Sequence, residues 1–151
     1  MALKRSERFK PLHRLAQQSE DVAAQTLGKI QRELNDQHAR LDELVMYHED
    51  YTRRFSQQAS KGMSITQVLS YQKFISQLEA AIEEQKRQIQ RVSEACTACR
   101  DDWHEERKKT QVMEKVMLRY RKQEQVIQNR QEQRRNDEFV STQYWHKNLK
   151  E

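Results

Sequence analysis

Two cysteines stand one helical turn apart in Cys96-Thr-Ala-Cys99, a spacing that suits a dithiol redox centre or half of a zinc site. At about 100° per residue on a helix, His104 lies roughly 80° to 140° around the axis from them, so a tetrahedral site lacks two converging ligands. The pair reads instead as two small apolar residues on one helix face. Gly28-Lys29 is the one fragment suggestive of a phosphate loop, and it fails. Ile30 stands where Ser or Thr is needed, and Ala23 where the first glycine should be. There is no Ser/His/Asp arrangement, and His48 falls among apolar neighbours where a packed ring is expected. The chain is therefore expected to be no enzyme and to need no cofactor or metal.

The elements behind these residues are set by a single period. From Val68 the sequence steps by three and four through Tyr71, Ile75, Leu78, Ile82, Gln85, Ile89, Val92, Cys96 and Cys99. It continues through Trp103, Glu106, Thr110, Met113, Met117, Tyr120 and Glu124 to Ile127. Fourteen of these eighteen positions are apolar, where a composition of 35% hydrophobic residues would place roughly six. Leu27, Ile30, Leu34, Gln37, Leu41, Leu44, His48, Tyr51 and Phe55 make a second ladder of the same kind, with Leu12, Leu15, Val22 and Ala23 as a looser stripe before it. With 34% charged residues, two glycines and one proline among 151 residues, no large globular core can form. The expected fold is all-α, a long antiparallel two-helix coiled coil in which helix 2 is longer than helix 1.

Pro11 suits the first turn of a helix, so helix 1 is expected over about 11–59. Ala59-Ser-Lys-Gly-Met-Ser64 is the turn, over 60–64, and Ser64-Ile-Thr-Gln67 is a capping box that opens helix 2, expected over about 65–136. The tail, 137–151, is expected to be frayed or partly helical, ordering on binding. Folding about residue 62 sets position i opposite roughly position 124 − i. Helix 2 then outruns helix 1, and the apolar seam at Met113, Met117, Tyr120 and Ile127 is expected to lack a mate in its own chain and to bind a partner. The alternative is that residues 2–10 are also helical and that Leu3 and Phe9 cover part of it.

Charge adds to this. The net charge is +5, mostly interleaved, but Lys4, Arg5, Arg8, Lys10 and Arg14 face only Glu7 in the first fourteen residues, and Arg119, Lys122 and Arg135 belong to a second basic stretch. Without interleaved aromatics neither run points to nucleic acid. No apolar stretch is long enough to span a membrane and no apolar signal core opens the chain, so a cytosolic protein is expected. Near the turn, Tyr47 and Phe74 stand one residue off the seam, on a flank shared with Leu44, Leu78 and Ala81. Large aromatics there mark a second docking surface, or else a widened core.

The run Tyr71-Gln-Lys-Phe-Ile75 with Leu78-Glu-Ala-Ala-Ile-Glu83, together with Leu15-Ala16, Asp21-Val-Ala-Ala24, Leu27-Gly28, Tyr47, Tyr51 and Asp137-Glu-Phe139, resembles the FliJ proteins of bacterial flagellar type III export. The resemblance covers nearly the whole chain. It implies a cytosolic stalk, peripheral at the inner face of the membrane at the flagellar base, that binds and stimulates a hexameric export ATPase through its free end. Here that end would offer Met113, Met117, Arg119, Tyr120, Lys122 and Ile127. It also implies docking to the FlhA-like membrane protein of the export gate through Leu44, Tyr47, Tyr51, Phe74, Leu78 and Ala81, and handling of export chaperones. At two positions aligned with that docking surface this chain has Arg40 and Gln85 in place of Gln and His. A free monomer is expected. The other readings are a self-associating scaffold, and the equivalent stalk of a virulence type III system.

Overall fold

The computed structural model describes residues 3–150. It holds two helices, α1 (Arg5–Lys61, 57 residues) and α2 (Ile65–Leu149, 85 residues), packed antiparallel as a coiled coil. Gly62 between them has φ +95°, a left-handed conformation that a side chain would strain, and its N–H donates to the Ala59 carbonyl at 3.3 Å. The capping box forms as the sequence specifies. Gln67 N donates to Ser64 Oγ, and Ser64 N donates to Gln67 Oε1, each at 3.3 Å.

Two compact units make up the fold: a turn unit of residues 22–104, and a terminal unit from residues 1–21 and 105–151. In the turn unit every expected seam residue, Leu27 through Phe55 on α1 and Val68 through Trp103 on α2, is buried or half-buried. Leu78, Val92 and Cys96 are the most enclosed apolar side chains. Phe55 meets Tyr71 with ring centroids 5.9 Å apart, and the Tyr71 hydroxyl donates to Gln58 Oε1 at 2.9 Å. One polar layer interrupts the seam. Gln85 Nε2 donates to the Gln37 carbonyl at 2.9 Å and to Gln37 Oε1 at 2.7 Å, which satisfies a Gln37 side chain only 7% exposed. His48 Nε2 lies 3.1 Å from Glu79 Oε1, three residues beyond the mate that folding about residue 62 predicts.

The terminal unit corrects three expectations. Helix α1 starts at Arg5, not near Pro11, and Pro11 sits inside it. An internal proline removes one backbone hydrogen bond at a cost of about 3 kcal/mol. Contacts made by the six residues before it offset that loss. Phe9 stacks on Tyr120 with centroids 5.4 Å apart, and Ser6 N and Oγ both donate to the Glu124 carboxylate, at 3.1 and 2.6 Å. Helix α2 also runs beyond 136, to Leu149. Of the stripe Leu12, Leu15, Val22 and Ala23 only Ala23 lies in the seam, since the first three are 51%, 60% and 63% exposed. The three-four ladder of α1 extends backwards instead through Ala23, Glu20, Ala16, His13, Phe9 and Ser6, all buried or half-buried.

Candidate interaction surfaces

The seam that was expected to lie open is largely covered by the chain itself. Met117 is 6% exposed, Thr110 2%, and Met113 and Tyr120 are half-buried. Tyr120 is capped by the Phe9 ring and by the Arg5 guanidinium, 5.8 Å from its centroid, an arrangement that lets a cation rest on the ring face. The alternative reading, a helical start whose Phe9 covers the stripe, is the one found, although Leu3 is exposed; the sequence alone does not favour it, because Ser6, His13, Ala16 and Glu20 carry no apolar signal. The regular spacing behind Leu27 was the clue that could have exposed it.

Of the residues assigned to an ATPase, Arg119, Lys122 and Ile127 remain on the surface, Ile127 at 55% exposure, and every residue from 125 to 150 is exposed. That stretch carries Val126, Phe139, Val140, Tyr144, Trp145 and Leu149 in the open. Glu124 marks where cover ends. Two hydrogen bonds from Ser6, helped by the charges of Lys4 and Arg121, hold its carboxyl below the ordinary value of 4.5.

In the turn unit, the flank residues divide. Leu78 is buried, while Leu44, Tyr51 and Ala81 are half-buried. Phe74, 39% exposed, tilts against Tyr51 with centroids 4.5 Å apart, so it widens the seam while leaving an edge in water. Tyr47 stands out at 56% and Met46, absent from the sequence reading, at 68%. Gln85 belongs to the seam, and Arg40 is exposed. Arg54 lies over the Tyr51 ring at 5.6 Å and pairs with Asp50 at 3.3 Å.

Cys96 is buried and Cys99 half-buried, both as free thiols. Among the described residues no group of three or more His, Cys, Asp or Glu could hold a metal ion. No helix among them is long and apolar enough to cross a membrane.

Charge is divided unevenly between the units. Residues 1–21 and 105–151 hold seventeen Lys and Arg against eleven Asp and Glu, a net +6; residues 22–104 hold eleven against twelve, a net −1. The molecule's positive charge therefore resides in the terminal unit.

The fold is an all-α pair of long helices, with its apolar residues drawn into a narrow seam and open aromatics on flanks and tail. Its family is given by comparison: residues 5–149 match the family model described as "Flagellar FliJ protein", and the chain belongs to the FliJ family. A relative described as "Flagellar FliJ protein" from Salmonella typhi is 27% identical over 126 residues, covering 83% of this chain and 86% of the relative. Another of the same description, from Escherichia coli (strain K12), is 26% identical with the same coverage. No solved structure matches the chain.

Proposed function

We propose that this protein is a non-catalytic component of the flagellar protein export apparatus, a cytoplasmic stalk that binds and stimulates the hexameric export ATPase at its terminal unit. The match over residues 5–149 to a flagellar family is the observation that carries this reading. The +6 terminal unit and its uncovered α2 extension support the choice of end, since local charge with open apolar side chains suits reversible docking. On this reading Arg119, Lys122 and Ile127 touch the ATPase directly, whereas Met113, Met117 and Tyr120 act by holding α2 against α1. The flank at Tyr47, Phe74 and Met46 receives the membrane protein of the export gate, and export chaperones are handled at the same apparatus. Both relatives carry the flagellar description, which favours this over a virulence system.

The test is the rate of ATP hydrolysis by the cognate flagellar export ATPase with and without this protein. An Arg119→Glu, Lys122→Glu, Ile127→Ser variant changes only exposed side chains, whereas lysine at buried Met117 would disrupt the unit itself. Stimulation by the intact protein, lost in the variant at unchanged helicity, is the expected result. No stimulation by the intact protein would remove the ATPase from the proposal.

A further inference from the structure

Beside the covered seam of the terminal unit runs an open groove of about 630 Å³. Lys10 and Arg14 of α1, one turn apart, form one wall, and Arg121 of α2 stands on the other. Its floor is Met117 and Leu118, the latter 53% exposed. Among the described residues none of the three cations makes an ion pair, and the one carboxylate in the groove, Glu114, is engaged 3.3 Å from His13 Nε2. The groove thus sets cations on both sides of an apolar strip, Arg121 also lying near enough to the Glu124 carboxylate to help hold it low.

From this we infer that the groove receives an acidic amphipathic helix of another protein as a third strand. The shape and spacing argue for a helix. The groove follows the line between α1 and α2, and its side chains recur at three and four residues, the interval at which a ridge of a third helix finds its holes. The chemistry sets the helix's composition: an apolar row for Met117 and Leu118, flanked by Asp or Glu that reach Lys10 and Arg14 on one side and Arg121 on the other. A second copy of this chain is a poor occupant, because the terminal unit would repel its like and the turn unit is nearly neutral. A flat anionic membrane meets the exposed cations but not Met117, which is only 6% exposed. The inference uses residues other than Arg119, Lys122 and Ile127, and it stands whichever protein supplies the helix.

The probe is a synthetic peptide of about twenty residues, long enough to approach helicity alone, with leucines at helical spacing flanked by glutamates. Its counterpart carries lysine in place of glutamate. Binding to the full chain is read by fluorescence anisotropy, and the footprint by hydrogen exchange. Expected is binding of the acidic peptide alone, weakened by salt, with new protection confined to residues 10–18 and 114–121. Arg14→Glu with Arg121→Glu should weaken it by about tenfold or more, and Leu118→Gln by several-fold. Arg130→Glu with Arg134→Glu makes the same change of charge on the exposed extension and should leave binding intact. Equal loss in that control, binding of both peptides alike, or no binding would overturn the inference. So would tighter binding to vesicles of about three parts phosphatidylcholine to one of phosphatidylglycerol, or a dimer abolished by Arg14→Glu with Arg121→Glu.

Discussion

The turn unit and the terminal unit are built on one ladder of three-four steps but fill it differently. In the turn unit the rungs are mostly Leu, Ile, Val and aromatic residues, and the surrounding charge is close to balanced. In the terminal unit α1 offers Ser6, Phe9, His13, Ala16 and Glu20, and the charge is +6. The difference teaches that regular geometry and apolar content are separable. Apolar rungs on both helices hold the first unit; in the second, where α1 offers few, one aromatic stack, one carboxylate with two donors and one His–Glu contact supplement the burial of Met117.

The comparison breaks most visibly in the turn unit. Leu78→Ala removes one of its most enclosed side chains, and in a seam with little else behind it the loss should be about 2–3 kcal/mol, read as a lower midpoint in urea followed by circular dichroism. A smaller change sharpens the other side. Phe9→Ala should cost about 1–2 kcal/mol at most and should appear as faster hydrogen exchange over residues 5–21, with the turn unit's protection unchanged. Loss of protection throughout would show that the two units do not hold independently.

The smallest effect concerns acid. Because the folded Glu124 carboxyl titrates below its ordinary value of 4.5, its contribution is fully present above that value and fades as pH falls through the lowered one. The first residues of α1 should loosen there, seen as shifted amide resonances of Ser6. Glu84 is also held low, by Arg87 and Arg91, but those partners lie on its own helix. Its protonation should leave the contact between α1 and α2 undisturbed. Acid that loosens the turn unit first would contradict this assignment.

How far the sequence could be read follows the same division. The α2 seam from Val68 to Glu124 was legible throughout, since apolar residues repeat often enough to tolerate Gln85, Glu106 and Thr110. The turn was legible because Gly62 and the Ser64 capping box use local chemistry. The start of α1 was not. Apart from Phe9 its true face is polar or small, Leu12, Leu15 and Val22 make a false stripe beside it, and Pro11 imitates a first turn. What keeps that face in place is tertiary: Phe9 and Ser6 find partners more than a hundred residues away. The aromatic flank near the turn was half legible for a related reason, because position showed that Phe74 stands off the seam line but not that its ring would pack on Tyr51.

The Gln37–Gln85 layer has a mechanical meaning. If α1 slid along α2 by one heptad, Gln37 would face Leu78 or Val92, and its amide would be enclosed with nothing to receive it, at about 1–3 kcal/mol. Leucine at both sites would strengthen the seam and also leave its phase free. The pair therefore acts as a register pin, because its hydrogen bonds are satisfied only where Gln37 and Gln85 stand side by side.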